Sequence, residues 1–334
     1  VKLAQCIRWM MFCTQRILFN YFNVMQTSTP PESFLDTIQA GDASKLISLL
    51  PSASIDLSFW SPPYHVGKNY ELGATFEEWQ ELIKAVLQDH ARVLKPGAFV
   101  AVNINDILCF QDPAIPQFQA DLTDKKKIKI TREQILAVKS EHPNASRYEL
   151  ARLCGCSEQT IQRRLEHNNV RGGKKATMTK VMLVGGLLQR WAEEAGLYLY
   201  DRRIWAKDPC WENSKWHSSS YRAVDEFEYV YIFWKPGITH VRRGRLSKEE
   251  WAGWGSRGVW FIPSVRANVR HEAEFPEALA DRVIRLLSSP GDTVLDPFCG
   301  SGTTCVVAKR LGRHWVGFDL SEDYCNLTRS RLNE

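Results

Sequence analysis

"VLDPFCGSGTTCVVAKRLGRHWVGFDL", residues 294–320, decides the fold. An apolar run ends at Asp296, a loop with Gly300 and Gly302 follows, and a helical pattern leads to a second apolar run ending at Asp319. Strand, turn, helix and strand in that order are the repeating unit of a parallel sheet. Glycines in the first turn let backbone approach a ligand closely, and the helix behind them offers unpaired N–H groups. An acidic residue closing the next strand, roughly 20 residues on, suits the two hydroxyls of a ribose. The third glycine of a pyrophosphate-binding G-x-G-x-x-G is missing, because Cys305 stands there, and no G-x-x-x-x-G-K-[ST] occurs. The loop therefore fits an adenosine carrying a compact group other than a phosphate.

The same alternation recurs upstream. "FLDTIQAGDASKLISLL" and "ASIDLSFW" read as strand, turn, helix and buried strand. "TFEEWQELIKAVLQDHARVL" reads as a helix with Thr75 as N-cap, and "KPGAFVAVNIND" as a turn feeding another strand. "VMLVGGLLQRWAEEAGLYLYDRRIWAKD" predicts helix then strand, "EFEYVYIFWKPG" a strand, and "FPEALADRVIRLL" a helix. The fold expected is α/β, a mostly parallel sheet with helices on both faces.

One strand ends oddly. "DLSFWSPPYHVGKNYE", residues 56–71, runs from an apolar strand into two prolines and a tyrosine. Proline cannot donate to a ladder and pushes the residue before it out of helical conformation, so the chain leaves the sheet at Ser61. Prolines also leave nearby carbonyls free of strand pairing, so the tip of this strand offers acceptors that the ladder does not use.

"SPPY" at 61–64 and "DPFCGSGTT" at 296–304 together resemble the catalytic and cofactor motifs of the β group of DNA amino-methyltransferases, in that group's order. "AGDAS" at 40–44 resembles the family's aspartate beside the adenine, and "HEAEFPEAL" at 271–279 its segment lining the methionine side. Glu272 replaces the family's usual proline in the latter, and "HVGKNY" resembles the loop over the target base. The resemblance covers about residues 36–110 and 180–330. It implies a Rossmann-like sheet and S-adenosyl-L-methionine as cofactor, with no metal. It assigns catalysis to Ser61, Pro62, Pro63 and Tyr64. An exocyclic amine on a nucleobase is a poor nucleophile, since its lone pair is conjugated into the ring, and acceptors that hold both amine hydrogens out of plane favour the pyramidal nitrogen that attacks. On this resemblance Ser61 Oγ and the Pro62 carbonyl are those acceptors, Pro63 stiffens the turn, and Tyr64 offers a face for an extruded base. The resemblance assigns cofactor contacts to Asp42, Phe275, Pro276, Asp296, Pro297, Phe298, Gly300, Ser301, Gly302, Thr303 and Asp319, and a DNA contact to Lys68. Serine at the first motif position is associated with N4-methylcytosine and aspartate with N6-methyladenine, so Ser61 favours cytosine. Adenine-N6 methylation on the same architecture is the alternative. A DNA-binding regulator on a methyltransferase relic, and an RNA methyltransferase, are rivals from other classes.

Residues 125–178 break the alternation. This basic stretch holds three short helical patterns, and "YELARLCGCSEQTIQRRL" has Ala151, Gly155 and Ile161 at helix-turn-helix spacing. Ser157 would cap the second helix, exposing Gln159, Thr160, Gln162, Arg163 and Arg164 for base edges and phosphates. Arg164 stands where a buried apolar residue is usual, with Leu165 next to it. The expected organisation is an extension over 1–35, a catalytic half over 36–124, this insert, and a cofactor-binding half over 179–334. Within the last, the Arg- and Trp-rich residues 238–265 are a candidate target-recognition segment, and 202–220 a loop near the base pocket.

Composition is compatible with this reading and excludes others. Of 334 residues 44% are apolar and 24% charged, with net charge +5, which permits a nucleic-acid partner. No apolar run is long enough to span a membrane. Nine cysteines without a CxxC pair argue against a zinc site or disulfide framework and fit a reducing cytoplasm. The first 25 residues are apolar but broken by Arg8 and Arg16, with no small-residue cleavage pattern, so a signal peptide is not expected. Double-stranded DNA is the expected partner. A cognate restriction endonuclease is admitted, and monomer and homodimer both stay open.

Overall fold

Eight strands form one sheet in the computed structural model, which describes residues 28–65, 73–116, 130–166, 179–210, 222–265 and 274–334. The strands are β1 (Thr37–Ala40), β2 (Ile55–Trp60), β3 (Leu94–Ile104), β6 (Tyr198–Cys210), β7 (Asp225–Trp234), β8 (Val259–Phe261), β9 (Thr293–Asp296) and β10 (His314–Asp319). They hydrogen-bond in the order β1-β10-β9-β2-β3-β7-β6-β8. Pairing is parallel from β1 through β10, β9 and β2 to β3, and β7 is antiparallel to both β3 and β6. The remaining two strands, β4 (Ile107–Gln111) and β5 (Thr179–Met182), pair in a second sheet.

Side-chain alternation along the strands splits the core into two layers. On β3, Val100, Val102 and Ile104 face one layer with α1 (Ala43–Leu49), α2 (Phe76–Val93) and α6 (Val184–Ala195). Phe99 and Ala101 face the other, with α7 (Glu277–Leu287) and α8 (Thr303–Arg310). The last helix, α9 (Glu322–Asn333), closes the chain over β1 and β10. α2 starts where its sequence says: Thr75 and Glu78 form a reciprocal capping box.

Two elements depart from the sequence reading. "KPG" is not a turn before β3 but lies inside it: the strand begins at Leu94, and the register against β2 shifts between Ile55 and Leu57. Gly97, at φ +84°, has Ile238 backbone so close that a Cβ would stand 2.1 Å from its carbonyl oxygen. Residues 202–210 belong to β6 rather than to a loop, and 211–221 lie outside the described residues.

Two compact units separate. The first takes in the described residues of 1–110, 181–215 and 223–334, the second those of 111–180 and 216–222. The second holds α3 (Arg132–Glu141), α4 (Arg147–Leu153) and α5 (Glu158–Leu165) around a core of Ile135, Leu150, Ala151 and Ile161. Gly155, at φ +60°, turns the chain between α4 and α5, and Ser157 caps α5 through the N–H of Thr160. Among the described residues no helix is long and apolar enough to cross a membrane.

Candidate active site

The strand order reverses between β9 and β2. From β9 the chain passes through α8 to β10 on one side, and from β2 through α2 to β3 on the other. Ligands of open α/β sheets bind outside the carboxyl ends of strands at such a switch point. Asp296 ends β9 and Trp60 ends β2, with Ser58 of β2 opposite Leu295 of β9. The glycine loop and the Ser61–Tyr64 turn, far apart in the sequence, thus leave the sheet side by side. Thr304 of α8 lies between the two, its hydroxyl oxygen 3.3 Å from the Phe59 carbonyl.

The glycine loop is held from three sides. The N–H of Gly300 donates to Asp319 Oδ2 at 2.8 Å, and Thr328 Oγ1 donates to the Gly300 carbonyl at 2.9 Å. Gly302 sits at φ +82°, and a Cβ there would stand 2.2 Å from Thr328, so only glycine fits. Behind the loop the buried Arg331 guanidinium donates to the Ser301 carbonyl and pairs with Glu277 at 3.0 Å and Glu274 at 3.5 Å. Asp296 is 1% exposed and accepts the N–H of Phe298 at 3.0 Å. Burial drives its carboxyl up to about 7, helped by the charge of Asp319 and opposed by hydrogen bonds from Thr304 and Phe298.

The other motif residues gather around this loop. Ala40 of β1 pairs with Asp319, which brings Asp42 to the same strand ends. The Asp42 carboxylate caps α1, accepting from the N–H of Ser44 at 2.9 Å and its hydroxyl at 2.7 Å, and these bonds hold it below the usual carboxylate range. Phe275 packs on Phe59 at 5.2 Å, Phe298 on Trp60 at 5.4 Å, and Pro276 precedes the first residue of α7. Carboxylates dominate this mouth, and its arginine is spent behind the loop. Such a donor set fits a cationic sulfonium on a ribose and not a pyrophosphate.

At the tip of β2, Ser61 Oγ donates to Tyr64 Oη at 3.2 Å, and Tyr64 Oη donates to Glu228 Oε2 at 2.6 Å. Trp79 Nε1 donates to the Pro63 carbonyl at 2.6 Å, while no described residue donates to that of Pro62. Glu228 also accepts from Asn103 Nδ2 at 3.0 Å and from Lys207 Nζ at 2.6 Å, and Lys207 reaches Asp225 at 3.3 Å. Burial pulls the Lys207 ammonium toward deprotonation, but Glu228 and Asp225 outweigh it and raise its value. Sequence reasoning missed Glu228, Asn103, Lys207 and Arg331. The signal available for the first was an acidic residue inside the apolar run "DEFEYVYIFW".

Lys68 and His271–Ala273 lie outside the described residues, as do 1–27, including the apolar start. In the second unit Gln159, Arg163 and Arg164 are exposed, and Thr160 and Gln162 half-buried. Leu165, not Arg164, packs on that unit's core. In residues 238–265 the tryptophans mostly turn inward: Trp260 is 1% exposed, and the Arg282 and Arg285 guanidinia of α7 lie over Trp254, each at 5.7 Å. Arg242 and Arg243 are exposed.

A permuted methyltransferase-type sheet with its two motif loops at the switch point defines a class, and comparison with known proteins gives the family. The DNA methylase family N6_N4_Mtase matches residues 55–330, and the chain belongs to it. S-adenosyl-L-methionine is the methyl donor of this family. The chain is 54% identical to the Type II methyltransferase M.BglI of Bacillus subtilis over 297 residues, 89% of this chain and 85% of that one. Two solved structures share the fold. One is TTHA0409 of Thermus thermophilus complexed with S-adenosyl-L-methionine (TM-score 0.56, 23% identity, 89% and 92% of the two chains). The other is the PvuII DNA methyltransferase, cytosine-N4-specific (TM-score 0.56, 18% identity, 92% and 90%).

Proposed function

We propose that this DNA methyltransferase transfers the methyl group of S-adenosyl-L-methionine to the exocyclic N4 amine of cytosine in double-stranded DNA, with the base extruded from the helix. The observation that carries this reading is the juxtaposition of Ser61-Pro62 with the Asp296–Gly302 loop at the switch point. Bound there, the cofactor supplies an electrophilic methyl carbon on a sulfonium. Ser61 Oγ and the Pro62 carbonyl accept the amine hydrogens, and Tyr64 lies against the base. Asp319 meets the ribose, Asp42 lies toward the adenine, and Phe275 and Pro276 toward the methionine side. Pro297, Phe298, Gly300, Ser301, Gly302 and Thr303 shape the loop, and Asp296 carries negative charge toward the cofactor. Positioning does most of the work.

In the second unit, Gln159, Thr160, Gln162, Arg163 and Arg164 read base edges and hold phosphates. Arg242 and Arg243 in the 238–265 segment are the further basic pair available for DNA. A cognate restriction endonuclease is the partner against which such methylation protects. The test is to incubate the protein with DNA and S-adenosyl-L-methionine, digest to nucleosides and weigh the product. N4-methylcytosine supports the reading, N6-methyladenine overturns the base assigned, and no methylated base overturns the site as a whole.

A further inference from the structure

Glu228 sits behind the proposed catalytic turn, 164 residues from Tyr64 in sequence and 2.6 Å from its hydroxyl. Its environment is a polar network of largely buried side chains from β3, β6 and β7. Asn103 Nδ2 and Tyr64 Oη donate to Oε2, and Lys207 Nζ to Oε1. Asn105 Nδ2 in turn donates to Asp225, the second carboxylate facing Lys207, at 2.9 Å. Packing alone does not call for such a group, since replacing a buried ion pair with apolar residues is often neutral or stabilising.

The chemistry of the donors fixes the direction of the chain. An ionised carboxylate can only accept, and a tyrosine hydroxyl carries a single proton. The contact at 2.6 Å with Glu228 claims that proton over the Asn103 carbonyl at 3.3 Å. Tyr64 Oη therefore accepts from Ser61, and Ser61 is left with its lone pairs for an incoming amine. Reversing the chain would put a serine proton against the amine hydrogens.

We propose that Glu228 polarises the Ser61–Tyr64 hydroxyl pair and is the terminus for the proton that the target amine loses. The inference rests on the reading of Ser61 as the amine's acceptor. As the nitrogen–methyl bond forms, the carbon–sulfur bond breaks with its pair going to sulfur. The amine proton then passes to Ser61 Oγ, the serine proton to Tyr64 Oη, and the tyrosine proton to the Glu228 carboxylate. Both hydroxyls end neutral, Glu228 ends as the acid, and Lys207 stays charged. The cationic charge of the donor is thereby cancelled inside the protein, and solvent recovers the proton between turnovers. Glu228 and Lys207 are positioning residues here, because neither touches the base.

Tyr64→Phe, Glu228→Gln and the double variant test this, with single-turnover rates at saturating DNA and cofactor. Each single variant is expected to slow methyl transfer on the order of 10²-fold. The cofactor dissociation constant should hold, and the double variant should be no slower than the slower single one. The wild-type rate should fall in heavy water, and Tyr64→Phe should lose that sensitivity. Full-rate transfer by Tyr64→Phe, losses that multiply in the double variant, or a loss confined to cofactor affinity would each overturn the chain. If Glu228→Gln does not fold, Tyr64→Phe decides alone, since it removes one oxygen and leaves Glu228 with Lys207 and Asn103. Ser61→Ala separates the two readings. If it slows transfer while Tyr64→Phe does not, only the relay fails; if neither does, the assigned site fails too.

Discussion

The backbone N–H of Gly300 donates to Asp319 Oδ2 at 2.8 Å, while the N–H of Ser321 donates to the other carboxylate oxygen at 2.9 Å. The residue assigned to the ribose is thus also the clamp on the glycine loop, tying the end of β10 to the turn after β9. Asp319→Ala should weaken S-adenosyl-L-methionine binding by more than one charged hydrogen bond, which is about 1.5–3 kcal/mol. Asp319→Asn, whose amide oxygen still accepts one N–H, should lose less. Calorimetric titration checks the order; equal affinities for wild type and Asp319→Ala would place the ribose elsewhere.

Ser61→Ala should leave cofactor binding unchanged and slow transfer on the order of 10²-fold, like the loss of one preorganised transition-state hydrogen bond. The structure adds a control, because Tyr64 still donates to Glu228 when the serine oxygen is gone. A collapse of cofactor affinity in this variant would mean that Ser61 holds the loop rather than the amine.

With Asp296 placed toward the cofactor, as proposed, cofactor binding should depend on pH. Burial raises the Asp296 carboxyl to about 7, so near neutrality a large share is protonated in the unliganded protein. A sulfonium nearby favours the carboxylate, so affinity should rise as the pH climbs from one unit below that value to one unit above. Asp296→Asn should bind more weakly at the higher pH and show a flatter profile. Parallel profiles for the two proteins would exclude Asp296 as the titrating group.

Much of this site was legible because its signals are local. Gly300, Gly302 and Asp319 lie within one strand–loop–helix–strand unit, and Ser61-Pro62-Pro63 breaks a strand in consecutive residues. The N-cap at Thr75 was readable for the same reason, and the structure adds the reciprocal bond from Glu78. Glu228 was not, because its partner Tyr64 comes from a distant strand end and only antiparallel pairing of β7 with β3 brings the two together. Arg331 likewise reaches Ser301 only once α9 has folded back over the loop. Asp42 teaches the converse: its carboxylate is engaged by the helix it starts, a local role that sequence reasoning did not assign to it.

His90 should make the fold acid-labile. Its ring is buried, with Nε2 2.8 Å from Ser58 Oγ and Nδ1 2.6 Å from the Val86 carbonyl. Burial lowers its value from 6.5 to about 4, despite the Val86 bond. A folded value below the unfolded one means stability is whole above the unfolded value and is lost as pH falls through the folded one. The difference is about 3 kcal/mol. Asp296, raised to about 7, has the opposite sign, its contribution being lost as pH rises through that value. The two groups act with opposite signs over the same window, so the test is the difference between variant and wild type. As pH falls from about 7 to about 4, His90→Leu should gain about 3 kcal/mol of stability relative to wild type in denaturant titrations. A difference that does not change with pH would mean that His90 is not a titrating group of the fold.

The exposed arginines of α5 give the sharpest test of the second unit. Arg163 and Arg164 are solvent-exposed, whereas Ile161 on the same helix is fully buried in that unit's core. Replacing both arginines with alanine should therefore leave thermal stability within about 0.5 kcal/mol. If both hold phosphates, each lost contact removes about 0.9 from the slope of log affinity against log salt, so the double variant's slope should be shallower by nearly two units. Phosphate contacts carry no sequence information, so the methylated sequence should stay the same while affinity falls. Gln159→Ala and Gln162→Ala test base reading separately, each expected to broaden the methylated sequence with little change in slope. A double arginine variant with wild-type affinity and slope would remove α5 from the DNA interface.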